Sequence, residues 1–249
     1  WTSMAPKKRS ASPARTTTAT TDSEFEGRDA TGLQPKETAK TEAWARSFYF
    51  NLLGKLIFLQ APFFAWGSYF LLKYVTPSTM STSDKKLAFI YEYQIGYVYA
   101  AWFVIYLTRM YVMINANGAR AAARLDRPDQ HIYKIMAETG PLAGAPYVLL
   151  ATTGAAGRFN RAQRAALNMD EGLPLFLSAT LLAGSVFGPL VVGLALLNMY
   201  GRVTFANGYK ASLAARGGGF LAAAASEHVI AGLVGLCAVK GILGPLVPF

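Results

Sequence analysis

Residues 172–201 read GLPLFLSATLLAGSVFGPLVVGLALLNMYG, thirty positions without a charged side chain. A helix crossing a bilayer core needs only about 20 apolar residues, so the stretch is far more apolar than a soluble domain requires. Its flanks extend the apolar pattern to about residues 162–210. As one helix this would run roughly 70 Å, against a hydrocarbon core of about 30 Å. Gly188-Pro189 stands near the centre, and such a dipeptide is a strong turn signal. The spacing predicts two antiparallel helices, about 162–187 and 190–210.

Three further regions carry the same signal. Residues 48–75 are rich in aromatics (Phe58, Phe63, Phe64, Trp66, Tyr69, Phe70), with Pro62 as an expected kink. Residues 93–116 are apolar apart from Arg109, a side chain that snorkels or faces a protein interior. Residues 217–240 form the last region, entered through Gly217-Gly218-Gly219, which reads as a flexible entry to the helix. Five transmembrane helices result. The whole chain is 53% hydrophobic and 15% charged, with mean hydropathy +0.26, where a typical soluble domain is about 25% charged. The sequence describes an all-α, polytopic membrane helix bundle. A soluble enzyme is excluded, and a net charge of +10 does not here mean nucleic acid as a partner.

Residues 1–46 differ from the rest. They are rich in Ser, Thr, Ala and Pro and poor in large apolar side chains, a composition expected of a flexible basic tail. Before Asp22 the stretch holds Lys7, Lys8, Arg9 and Arg15 with no acid, as transit peptides do. The division expected is a tail over 1–46, an extra helix and loop over 47–92, and a four-helix domain over 93–249. Cys237 is the single cysteine, and its apolar setting is that of a small hydrophobe. The tail, the 117–161 loop and the residues around 202–216, with Arg164, carry eighteen Lys and Arg; the opposite ends hold Lys73, Lys85, Lys86 and Lys240. Positive charge marks the cytosolic side, or its stromal or matrix equivalent, so the N-terminus is expected there.

The chemistry gathers at the flanks of the long apolar stretch. Arg164, Asn168 and Glu171 are spaced i, i+4, i+7 and share one helix face; Arg202, Phe205 and Tyr209 do the same at i, i+3, i+7, with Arg216 following. A reversal at 188–189 brings the two stripes together near one membrane surface. Spacing alone leaves two readings open. One is a set of interfacial anchors with a structural Arg164–Glu171 pair. The other is a polar ligand site at the edge of hydrocarbon, since polar groups within a membrane helix are costly and commonly functional. Glu227 and His228 lie about 15 Å along the last helix from Gly217. They point about 100° apart, and an interhelical hydrogen bond is the expected role, proton handling or ligand contact the alternative.

Three motifs add a resemblance. Phe159-Asn-Arg161-Ala-Gln-Arg164-Ala, Asn168-x-x-Glu171-x-Leu-Pro174-Leu-Phe176 and Gly201-Arg202-x-x-Phe205-x-x-Gly208-Tyr209 resemble the MAPEG family, membrane-associated proteins in eicosanoid and glutathione metabolism. Gly118-Ala119-Arg120 is similar to the Ala-Arg pair closing the family's first helix. The likeness covers about 93–243 and is sharpest over 158–216. It implies a four-helix unit, commonly a homotrimer, with glutathione bound at protomer interfaces near the cytosolic face. By motif position it implies that Arg164, Asn168, Glu171, Arg202 and Tyr209 contact glutathione, and that Arg120 reaches its carboxylate from a neighbour. Arg216 would hold the thiol as thiolate. The endoplasmic reticulum is the implied membrane, with a plastid or mitochondrial membrane open from the acid-poor N-terminus.

The chain departs from the family's pattern at Ala166 and Leu167, at Gly172, at Phe205 where a tyrosine is frequent, in the helix at 48–75, and in the long 117–160 loop. Two functions from different classes follow. One is a membrane glutathione transferase or peroxidase acting on lipophilic electrophiles or lipid hydroperoxides. The other is a non-catalytic accessory subunit of a larger membrane complex.

Overall fold

The computed structural model describes residues 42–125, 133–134 and 149–244. Helix α1 (Glu42–Lys55) runs through a π turn (Leu56–Gln60) into α2 (Ala61–Val75). The π turn has a local cause. Pro62 has no N–H to return to the preceding turn and its ring crowds it; the Ala61 N–H instead reaches the Leu56 carbonyl, five residues back. Next come α3 (Pro77–Glu92), α4 (Gly96–Ala123), the long α5 (Gly154–Ala211) and α6 (Gly217–Leu243). Among the described residues of the α4–α5 connection, Tyr133–Lys134 pairs antiparallel with Leu149–Leu150.

Helix α5 contains 58 residues and breaks at Phe187 (φ −114°, ψ 42°). We call the half before Phe187 α5a and the half after it α5b. They are antiparallel: Arg161, near the start of α5a, donates to the Tyr209 and Lys210 carbonyls at the end of α5b at 3.1 Å each. Those carbonyls have no partner within their own helix, and a cation at a helix C-terminus satisfies them. The expected reversal at Gly188-Pro189 is thus present, one residue earlier. Among the described residues, four helical segments are long and apolar enough to span a membrane: Glu42–Val75, Gly96–Ala123, Gly154–Ala211 and Ala214–Leu243. With α5 folded on itself they make five crossings, four from α4 to α6 and one extra at the N-terminal side.

Small side chains let the four helices close. Ala101 of α4, Ala183 of α5a, Val191 and Ala195 of α5b and Ile230 of α6 form one buried cluster with Ile105 and Phe176. In lipid no hydrophobic force separates helices from their surroundings, so close backbone packing through small residues does the holding. A second cluster of Val112, Ala165, Met169, Phe205 and Ala206 lies toward the end where α5 begins and finishes.

The sequence division needs four adjustments. Residues 42–46, assigned to the tail, are helical: Glu42 accepts from Arg158 (3.0 Å) and Lys210 (2.6 Å), which fastens α1 to both ends of α5. The 73–92 loop is mostly α3. Its Asp84 accepts from the Tyr69 hydroxyl (2.5 Å) and Lys73 (3.2 Å), and these bonds hold the carboxyl below the usual carboxylate range. Since the folded-state value is depressed, this contribution is present at neutral pH and is lost as the pH falls through that lowered value. Gly217-Gly218-Gly219 is not a flexible entry but the first turn of α6. The 117–161 loop shortens to 124–153, and residues 1–41 of the tail lie outside the described residues.

Glu42, Arg158 and Lys210 bring the starts of α1 and α5a and the end of α5b to one end of the bundle. Phe187 lies at the other. Single cysteines introduced at residues 153 and 189, in a Cys237→Ser background, are therefore expected to label from opposite membrane faces with an impermeant maleimide. Labelling of both from one face would contradict the hairpin.

Candidate functional site

The polar stripe of α5a and that of α5b meet where α6 crosses them. Gly201 and Gly219 set the distance. A Cβ on Gly201 would collide with the Ala223 backbone nitrogen, and one on Gly219 with that of Phe205. The two backbones touch here, and no other residue type permits that approach. The carbonyl of Ala223 and the side chains of Ser226 and Glu227 thereby come within reach of α5b.

Arg202 is the centre of the arrangement. Its Nη1 donates to Asn168 Oδ1 at 2.8 Å and its Nη2 to Glu227 Oε1 at 2.6 Å, so one guanidinium ties α5a, α5b and α6 together. Only 12% of the Arg202 side chain is exposed. Asn198, one turn earlier on α5b, donates to the same Glu227 oxygen at 3.0 Å and to Ser226 Oγ at 3.1 Å. Glu227 thus accepts from two donors of α5b through one oxygen. Gly172 faces the arginine: a Cβ there would stand 3.6 Å from Nη2.

These groups border a cleft of about 350 Å³. Asn168, Glu171, Arg202 and Glu227 supply its polar side; Phe205 and Phe220 supply an apolar wall, their ring centroids 6.4 Å apart. Cation, carboxylate, amide and aromatic surface are therefore within one recess. Such a lining takes a small charged molecule on one side and an apolar one on the other.

Of the residues singled out from sequence, Asn168, Glu171 and Arg202 come together in the cleft. Arg164 lies beside it and pairs with Glu171 in a fork (2.6 and 3.3 Å), on an exposed face. Tyr209 sits beyond Phe205 (centroids 5.5 Å apart), and the Arg216 guanidinium covers the Tyr209 ring at 5.5 Å. Arg216 belongs to the short turn Ala214–Arg216 and does not line the cleft. Arg120 is elsewhere: it is buried at the end of α4, its guanidinium 5.0 Å above the Phe159 ring. Within one chain it takes no part in the cleft.

Sequence reasoning did not assign Asn198 or Glu227 to the site. Asn198 had a signal, an amide alone in a run of apolar residues and four positions before Arg202. Glu227 does make the interhelical bond expected of it, and it also lines the cleft. Its neighbour His228 points elsewhere, its ring Nδ1 2.7 Å from the Ala224 carbonyl on an exposed face. Arg109 does not snorkel to water; it pairs with Asp170 of α5a at 2.9 Å.

Compared with known protein families, residues 97–238 match the MAPEG family. The match begins in the first turn of α4 and ends within α6, so it spans the four-helix unit and omits α1 and α2. No curated protein matches the chain.

Proposed function

The chain belongs to the MAPEG family, and from that premise we propose that it is an integral membrane glutathione transferase or peroxidase acting on lipophilic electrophiles or lipid hydroperoxides. One observation carries the reading. Two polar stripes far apart in sequence, with Glu227 added, converge on a single cleft whose other wall is aromatic. Glutathione presents two carboxylates, an ammonium and a thiol. Arg164 and Arg202 are the cations for the carboxylates, Glu171 for the ammonium, with Asn168 and Tyr209 as hydrogen-bond partners.

The chemistry asked of the protein is small. A free thiol has a pKa of about 8.5, and a nearby cation favours the nucleophilic thiolate. Arg216 is the residue proposed for that task; it stacks on Tyr209, whose ring in turn contacts Phe205 of the cleft wall. The thiolate sulfur then bonds to the electrophilic carbon as the leaving group departs with its electron pair. The electrophile would arrive from the bilayer along the Phe205–Phe220 face. Arg120 is proposed to reach a neighbouring protomer's ligand in a homotrimer, which requires that it leave its place over Phe159. The endoplasmic reticulum is the proposed membrane, with the N-terminus cytosolic.

The test is direct. Purified protein should bind glutathione by titration calorimetry and conjugate it to a generic aryl halide. Losing one partner of a charge-assisted bond costs about 1.5–3 kcal/mol, so Arg164→Ala should weaken glutathione binding roughly 10- to 100-fold. Unchanged affinity in a folded variant would remove Arg164 from the site.

A second reading has its own observation. Arg202 is already satisfied by Asn168 and Glu227, and Arg164 by Glu171, so each cation must give up a partner before it holds a ligand. A cleft closed on itself in this way suits a non-catalytic accessory subunit of a larger membrane complex. Absence of glutathione binding, together with co-purification of partner subunits in stoichiometric amounts, would favour it.

A further inference from the structure

The helix outside the family match builds a second cavity. About 340 Å³ of space separates α1 and the π turn from α4 and α5b. Its walls are apolar, with Phe50, Ile57, Phe58, Ile114, Met199 and Val203 among them. The two hydroxyls present are already used: Thr108 donates to the Val104 carbonyl (2.7 Å), and Tyr111 is bonded to Asn207. The cavity therefore offers no free polar group, and an apolar cavity of this kind stays dry and takes apolar ligands. Phe50 and Phe58 are 42% and 57% exposed, so it opens sideways into the bilayer.

Helical register extends this cavity toward the membrane surface. On α1, Arg46, Phe50 and Leu53 are spaced i, i+4, i+7 and share one face, which Ile57 of the π turn continues at i+11. On α4, Gly118, Ile114, Tyr111 and Leu107 repeat that spacing in reverse, as an antiparallel neighbour must. The Arg46 stem packs on Gly118, where a Cβ would stand 2.6 Å from Cγ. Arg46 thus closes the groove at its outer end. Glu42, one turn away, is already engaged by Arg158 and Lys210, and among the described residues Arg46 makes no ion pair. Among the described residues, Arg46 stands near Lys210 as a further cation above the apolar recess.

We propose that this groove binds one anionic membrane phospholipid, its acidic headgroup beside Arg46 and one acyl chain in the cavity beneath. The dimensions choose between occupants. From Phe50 to Phe58 the cavity follows α1 for about 12 Å, while a helix of a second copy is about 10 Å across and cannot enter 340 Å³. A chain from the surrounding lipid can. The site is separate from the Arg202 cleft, because the two share no lining residue.

Gly54 provides the test, since a Cβ there meets nothing within 4 Å. Gly54→Leu fills the cavity without displacing a neighbour, and Val203→Phe is a second filling variant from the opposite wall. The full chain is incubated with phosphatidylglycerol, phosphatidylcholine or oleate, and retained lipid is counted by native mass spectrometry. A phosphatidylglycerol carrying a diazirine in one acyl chain maps the contact. Wild type should retain one phosphatidylglycerol in preference to phosphatidylcholine, with cross-links at Ile57, Ile114 or Met199. Filling the cavity should lower retention about tenfold, as loss of burial for about two methylenes does, with unchanged thermal unfolding. Arg46→Gln should lower phosphatidylglycerol retention about fivefold, the weight of one cation near an anionic headgroup, and abolish the preference over phosphatidylcholine. The proposal is overturned if both filled variants retain lipid as wild type does, if cross-links fall elsewhere or on a second copy, or if oleate binds and phosphatidylglycerol does not.

Discussion

Replacing Arg202 with alanine should destabilise the protein by about 1.5–3 kcal/mol, the cost of losing charge-assisted hydrogen bonds from a half-buried ion pair. Arg202 joins three helices through one side chain, and its removal strands the Glu227 carboxylate with Asn198 as its remaining donor. Hydrocarbon on either side makes that charge more costly still. Thermal unfolding in detergent measures the effect. Glu227→Gln should cost less, because the amide oxygen still accepts from Arg202 while no unpaired anion is created. The double variant Arg202→Leu, Glu227→Leu should recover much of the loss, since apolar replacement of a whole buried pair is often neutral. An Arg202→Ala protein as stable as wild type would show that the pair does not hold α6 to α5b.

Arg216→Ala should lower turnover about a hundredfold, in the range found when a single group that stabilises developing or standing negative charge is deleted. Glutathione affinity should change far less, because the carboxylates are assigned to other cations. A loss confined to kcat is the mark of an interaction made with the reacting atom. The pH–rate profile gives a second reading. A cation that favours thiolate places the thiol pKa below its ordinary value, so its removal should move the rising limb of the profile toward alkaline pH. Arg216→Lys should recover part of the rate, keeping charge but losing the planar fork. Equal profiles for all three proteins would return Arg216 to the role the structure shows it in, a cation stacked on Tyr209.

The hairpin was legible in sequence because its cause is local. Thirty uncharged residues cannot lie in water, a helix of that length and its flanks cannot fit one bilayer, and Gly188-Pro189 permits the turn. The same holds for the two polar stripes, whose spacing follows from 3.6 residues per turn. The family motif added which residues to watch, and Asn168, Glu171 and Arg202 do share one cleft.

Other assignments failed for physical reasons that composition does not carry. Glu42 lies in a polar stretch and was assigned to the tail, yet Arg158 and Lys210 turn it into an anchor. Gly217-Gly218-Gly219 has the composition of a linker, but a helix pressed against another backbone also needs glycine, and Gly219 serves that need.

The sequence by itself determined that the chain is helical, that it lives in a membrane, how many times it crosses, and which faces of α5 are polar. Each of these depends on hydropathy and helical period, properties that a run of residues holds without reference to any other. Tertiary structure alone decided that Glu227 and Asn198 complete the Arg202 network and that α1 leaves a lipid-facing cavity against α4. Those depend on how near two backbones come, here set by Gly201 against Gly219 and by the Glu42 anchor, and no periodicity within one helix encodes the distance to the next.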